Sequence, residues 1–216
     1  MLSEALREIR GLLNQLLTNL EGDDGAVWLV ELKKFLRKEK TWTGEVAEKP
    51  KPLLGPAVIV ANIPATVGQF VVCKEFAKYR GSNFDSWFLG KVEEPTGEGI
   101  LRCQRLQRNS KDPAIIANLG GNLKAKISLA DINTAKERGD LEKDKVYIGY
   151  VEDEIRFPAD EESSYLNERG EKCVLRAVRV RWGDDSWSVS ADSIGALDGW
   201  RGGHRLLSRN SLESQS

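Results

Sequence analysis

The sequence predicts an α+β protein: an N-terminal helical hairpin followed by a mostly antiparallel β domain with short helices. Three observations predict it. Leucines recur at helical spacing from Leu2 to Leu20; beyond residue 57 short β-favouring runs take over, separated by Gly, Pro and Asn; and Cys173 to Asp192 alternates with period two around a Gly-Asp-Asp turn.

The first helix is carried by Leu2, Leu6, Ile9, Leu12, Leu13, Leu16, Leu17 and Leu20, with Ser3 as its N-cap. Glu21 to Gly25 breaks it. A second helix runs from Ala26 to Lys38, its Val27, Leu29, Val30, Leu32, Phe35 and Leu36 forming one broad apolar side. Residues 1–42 are therefore read as a hairpin. Residues 43–57, with Gly44, Pro50, Pro52, Gly55 and Pro56, block helix propagation and read as a linker at a domain boundary.

The second domain is placed at 58–211, with a short polar tail at 212–216. Its strand signals are Val58 to Val60, Phe70 to Val72, Trp87 to Leu89, Ile100 to Leu106, Val146 to Tyr150 and Glu154 to Phe157. Two helices interrupt them: Asp112 to Leu119, stopped by Gly120-Gly121, and one that starts after Ser128 and ends near Gly139. A polar connection follows from Pro158 to Glu171.

Composition narrows the function classes. With 216 residues, 40% hydrophobic and 30% charged, the chain has the balance of a globular protein that can bury a core. Its 32 Lys and Arg against 33 Asp and Glu leave no global field to draw nucleic acid, which is not an expected partner. Arg102, Arg105, Arg108 and Lys111 recur at a spacing of three that suits a helix face or loop, and read as solvated. The leucine-rich start carries Glu4, Arg7, Glu8 and Arg10, unlike a signal peptide, and no run is long enough to span a membrane. Cys73, Cys103 and Cys173 are far apart and odd in number, so three reduced thiols are expected, without disulfide or zinc. The expected compartment is the cytoplasm.

Catalytic signatures do not assemble. His204 is the sole histidine, no Gly-x-Ser-x-Gly elbow occurs, and no carboxylate pair stands out for glycoside hydrolysis. Asp184, Asp185 and Asp192 offer oxygen ligands but lack a calcium-loop pattern. No enzyme activity, metal or cofactor is expected. An uncharacterised enzyme stays as an alternative, as does an assembly protein whose Leu2 to Leu20 face, if exposed, would join copies of the chain.

The module at 173–211 is the most informative stretch. Val174, Val178, Val180 and Trp182 share one side of a strand, with Arg179 and Arg181 on the other. After Gly183-Asp184-Asp185, a second strand places Trp187, Val189 and Ala191 on one face and Ser186, Ser188, Ser190 and Asp192 on the opposite one. Ser and Asp are poor strand formers, so this small polar front suits either display, close approach by a partner, or simple solvation. Gly195, Gly199-Trp200 and Gly202-Gly203-His204 then permit sharp bends, with Trp200 as a loop anchor and Leu206-Leu207 in a closing strand.

The pattern Leu175-Arg176-Ala177-Val178, Trp182, a Gly/Asp/Ser cluster, Trp187 to Ser193, Gly199-Trp200 and Leu207 to Ser211 is similar to the C-terminus of a group of uncharacterised bacterial proteins, many from candidate-phyla genomes. The likeness extends to Glu31–Trp42 and Asn83–Glu94. Those C-termini resemble the variable region of target proteins of diversity-generating retroelements, which display ligand-binding residues on a C-type-lectin-like scaffold. The resemblance implies that Trp182, Trp187, Val189, Ala191, Trp200 and Leu206 are scaffold. It implies that Gly183, Asp184, Asp185, Ser186, Ser188, Ser190, Asp192, Arg201, Gly202 and His204 are display positions facing an unknown protein or other macromolecule. The ending Leu-Leu-Ser-Arg-Asn-Ser departs from the Gly-Phe-Arg common in lectin-fold variable proteins.

Overall fold

The computed structural model describes residues 2–22, 24–37, 52–194 and 199–211. The chain divides into two compact units, Met1–Pro50 and Lys51–Ser216. Most of the expected linker (43–51), Gly195 and the tail lie outside the described residues.

The first unit holds α1 (Leu2–Glu21) and α2 (Gly25–Leu36), packed together across a short turn. The turn depends on glycine: a Cβ at Gly25 would stand 2.0 Å from the carbonyl oxygen of Leu20. Leu13, Leu17, Val27, Trp28, Leu29, Val30, Phe35 and Leu36 are exposed. Among the described residues, no helix is long and apolar enough to cross a membrane.

The second unit is built on one mixed, mostly antiparallel sheet. Its elements in chain order are β1 (Leu54–Ile63), β2 (Phe70–Val71), β3 (Tyr79–Arg80), α3 (Ser82–Phe88), β4 (Val92–Glu93), β5 (Gly99–Leu106) and α4 (Asp112–Leu119). Then follow α5 (Asn122–Ala125), α6 (Leu129–Glu137), β6 (Val146–Asp153), β7 (Tyr165–Leu166), β8 (Lys172–Gly183), β9 (Ser186–Ser193) and β10 (Arg205–Ser211). The strand order is β1-β5-β10-β6-β8-β9-β3, with β7 attached to β8; only β10–β6 and β9–β3 run parallel. β2 and β4 form a separate two-stranded ribbon.

Local rules account for the elements that match expectation. α4 stops where Gly120 turns left-handed at φ 101°. α6 starts where the Ser128 hydroxyl accepts from the Asp131 amide at 3.0 Å, and the chain turns after it at Gly139, φ 75°.

Four expectations are corrected. Trp87 to Leu89 is not a strand: Phe84, Trp87 and Phe88 sit at helical spacing and are all buried, so α3 forms instead. Glu154 to Phe157 is not a strand either. The Asp160 carboxylate accepts from the Arg156 and Phe157 amides, both at 3.0 Å, and turns the chain into a 3₁₀ segment, Pro158–Ser163. The segment from Leu54 to Ala57 is strand, not linker; β1 is an edge strand whose register shifts between Leu54 and Ala57, which accommodates Pro56. Arg102 and Arg105 lie on β5, where a spacing of three sends them to opposite faces, so they form no stripe with Arg108 and Lys111.

A core lies on each face of the sheet. One packs Tyr147, Val178, Val180, Val189, Ala191 and Leu207 against Phe84 and Phe88 of α3 and Leu129 and Ile132 of α6. The other packs Ile148, Tyr150, Leu175, Ala177 and Leu206 against Ile115 and Ile116 of α4 and Trp200.

One charge is buried among them. Arg176 is 0% exposed. Its terminal nitrogens reach the Asp160 carboxylate at 2.7 and 2.6 Å, and its Nε reaches Asp153 at 3.1 Å. Arg156 donates to the same Asp153 at 3.0 and 3.2 Å, and the Arg176 guanidinium lies 4.6 Å from the Trp87 ring centre. Hydrogen bonding from Arg176 holds Asp160 at about 2, below the ordinary 3.8. A depressed carboxyl stabilises the fold fully above its unfolded value and loses that stabilisation as pH falls through the folded value. Urea titrations should therefore show a loss of about 2 kcal/mol between roughly pH 4 and pH 2. Arg176→Met, which leaves the buried Asp160 without its cation and Asp153 with Arg156 alone, should cost about 3–5 kcal/mol at neutral pH by the same measurement.

Candidate functional site

The C-terminal hairpin is a two-residue turn between long strands. Gly183 faces Ser186 across the ladder, and Asp184 and Asp185 between them take φ 49° and 57°. Two successive left-handed residues make the tight turn whose twist matches a right-handed sheet, and Asp tolerates that conformation better than most side chains. Behind the turn Trp182 and Trp187 face each other edge to face at 5.3 Å, and Lys143 lies 3.9 Å over the Trp182 ring. Val189 and Ala191 continue the same face into the core, 3% and 2% exposed.

The opposite face of β9 carries Ser188, Ser190 and Asp192. Ser190 pairs with Arg179 and Ser188 with Arg181; each arginine donates its Nε to the facing serine hydroxyl, at 3.2 and 3.3 Å. Along the other side of β9 runs β3, with Tyr79 opposite Ser188, Arg80 opposite Val189, and the Gly81 amide on the Val189 carbonyl at 2.8 Å. A Cβ at Gly81 would stand 3.2 Å from that of Ser190. The three strands enclose a shallow concavity of about 190 Å³, lined by Tyr79, Arg80 and Gly81, by Arg179 and Arg181, and by Ser188, Val189 and Ser190. Arg80 is committed to Asp85 at 2.6 Å and to the carbonyls of Lys74 and Ala77. Among the described residues Arg179 and Arg181 have no carboxylate partner.

The loop before β10 is pinned from beneath. The Trp200 indole donates to Asp112 at 2.5 Å, the Tyr150 hydroxyl donates to the same oxygen at 2.8 Å, and Trp200 bridges Ser110 through the backbone. Burial first, then the Asp112 charge, raise the Tyr150 phenol so far that it remains a donor. Gly202 donates its amide to Asn109 at 2.9 Å, and a Cβ there would meet the Arg108 backbone at 3.3 Å. The imidazole of His204 lies 5.9 Å from the Trp200 ring and is held below its usual range by burial, then by the charges of Arg179 and Arg201. At neutral pH it is uncharged.

No family model, curated protein or solved structure matches the chain.

The geometry divides the expected display positions into groups. Ser188 and Ser190 face Arg181 and Arg179 across the ladder and line the concavity with them, while Arg201 and His204 belong to the separate 199–204 loop. Asp184 and Asp185 are exposed at the hairpin tip, and Asp192 is half-buried opposite Ala177. Ser186 is buried; its hydroxyl reaches the Gly183 and Asp184 carbonyls at 3.4 Å and closes the turn. Gly183 ends β8, and Gly202 is held close to Arg108. Of the expected scaffold, Val189, Ala191, Trp200 and Leu206 are buried, and Trp182 and Trp187 are half-buried. Sequence reasoning did not include Arg179, Arg181 or the β3 edge in the site. The arginines were marked by their phase with the serines; a two-residue strand such as β3 leaves no periodic signal.

Two further clefts, of about 710 and 410 Å³, share Lys91, Glu152 and Asn167. Burial lowers the Lys91 ammonium, which donates to the Glu152 carbonyl, while Lys126 lies 3.6 Å from the Glu152 carboxylate and Tyr165 and Asn167 donate to it at 3.2 and 3.0 Å. Burial raises the Cys173 thiol, which donates to the Tyr165 carbonyl. These charges answer one another within the chain and tie β7 to β6 and β8. Among the described residues no three His, Cys, Asp or Glu side chains are placed to hold a metal.

Proposed function

We propose that the chain is a non-catalytic binding protein that presents the open part of its β8–β9 face and the 199–204 loop to a macromolecular ligand. The observation that carries this is the open concavity where Ser190 and Ser188 meet Arg179 and Arg181, while the tryptophans and branched side chains of the same hairpin pack behind or beneath. Such a division lets partner-facing side chains change without disturbing the core. We include in the proposal the likeness to variable proteins of diversity-generating retroelements, their C-type-lectin-like scaffold, and a cytoplasmic site of action in keeping with three free thiols. The experiment is to sequence the DNA around the gene. The reading expects a near-copy of the segment encoding residues 180–210, differing at adenines and lying beside a reverse transcriptase gene. Unique sequence there would remove the diversification part of the proposal.

A second reading, assembly through the N-terminal helices, is favoured by the exposed Val27, Trp28, Leu29, Val30, Phe35 and Leu36 of α2. It is compatible with the first, since linking copies raises the avidity of a weak face. Light scattering should then give the full chain a multimeric mass that Phe35→Glu with Val30→Glu reduces to that of a monomer. A monomeric wild-type chain would dismiss it.

A further inference from the structure

We propose that the concavity between β3, β8 and β9 is an anion site that takes a tetrahedral oxyanion, a phosphate or sulfate group. The inference rests on the front being a ligand-binding face and names the chemistry that this face recognises.

Arg179 and Arg181 occupy alternate positions of β8, so their side chains leave the same face roughly 7 Å apart. The serine opposite each one engages Nε only, at 3.2 and 3.3 Å. That contact orients the guanidinium and leaves its terminal nitrogens without a protein acceptor among the described residues. An outward-facing pair of planar donors, fixed at the base and unanswered at the tip, is the geometry that binds oxyanions in a fork. The Ser190 hydroxyl adds a donor at the floor of the concavity, while the Ser188 hydroxyl donates to the Arg181 carbonyl at 3.3 Å.

Charge points the same way. The other cation in the lining, Arg80, is neutralised by Asp85 at 2.6 Å, so it shapes the wall and leaves Arg179 and Arg181 as the recognising charges. The acids on the hairpin, Asp184 and Asp185 at the tip and Asp192 opposite Ala177, form no ion pair with these arginines among the described residues.

Size selects a group and not a whole ligand. About 190 Å³ is smaller than the roughly 300–1,000 Å³ of sites that enclose small molecules, yet it admits one phosphate and its ester oxygen. A planar carboxylate would satisfy one guanidinium; two guanidiniums and the Ser190 hydroxyl call for the additional oxygens of a tetrahedral anion. Tyr79, 48% exposed at the rim, would contact whatever carries the group.

The test is a titration of the full chain at low ionic strength, followed by NMR of the arginine Nε–H signals, with inorganic phosphate, phenyl phosphate, sulfate and acetate. Saturable phosphate binding is expected, weakened about tenfold by Arg179→Gln or Arg181→Gln and unchanged by Arg169→Gln on another surface, with acetate several-fold weaker. Tighter binding of phenyl phosphate identifies an ester on a larger ligand, and equal binding identifies the free anion; both support the site. No saturable phosphate binding, or binding indifferent to both arginine variants, overturns it, and equal acetate binding overturns the tetrahedral assignment. The outcomes separate from those of the parent reading. A missing anion response beside an intact template repeat rejects only this inference, whereas phosphate binding without a template repeat rejects only diversification.

Discussion

Arg176 carries a full charge with no access to water, and the second unit is organised around the groups that answer it. A buried guanidinium is tolerable only when its donors are matched. Here Asp153 comes from the end of β6, Asp160 from the 3₁₀ segment after it, and the Ser193 hydroxyl, 3.2 Å away, from the end of β9. Trp87 of α3 and Phe157 lie against the guanidinium. One side chain thus ties β6, β8, β9, α3 and the 3₁₀ segment to a common point, and it fixes the base of the hairpin.

The tip is held differently. The Trp182–Trp187 contact and the left-handed Asp184-Asp185 turn set the twist and register there, while Val180, Val189 and Ala191 lock the back into the core. Since these constraints act at the base, the tip and the back, the front holds little of the fold's stability. Small size on that front has two causes. Ser190 must admit the β3 edge at Gly81, whereas Ser188 opens onto the concavity. The close-approach and the open-surface readings of the serine row therefore apply to neighbouring positions of one strand.

Much of this was legible in the chain because the controlling rules are local. Gly120-Gly121, Ser128 and Gly139 bound α4 and α6 through cap geometry, and strict alternation around Gly183-Asp184-Asp185 placed the hairpin and its two faces. Where tertiary contacts decide, reading failed. α3 is too short for its period to outweigh the β-favouring Trp87, Phe88 and Leu89. Pro56 looked like a strand breaker but occupies a bulge on an edge. Arg176 was visible in principle, a charge in phase with Val174, Val178 and Val180, yet its acids lie 16 and 23 residues away. Likewise the 199–204 loop is pinned where Trp200 reaches Asp112, a pairing across 88 residues that no pattern announces.

The central claim is that the hairpin separates a fixed scaffold from a replaceable front. Saturation substitution across residues 174–206 of the full chain, read out as resistance to proteolysis, tests it most directly. The account predicts that Ser188, Asp192 and Arg201 accept most replacements with wild-type resistance, while Arg176, Val180, Val189, Ala191, Trp200 and Leu206 accept few. Equal sensitivity of the two sets would contradict it.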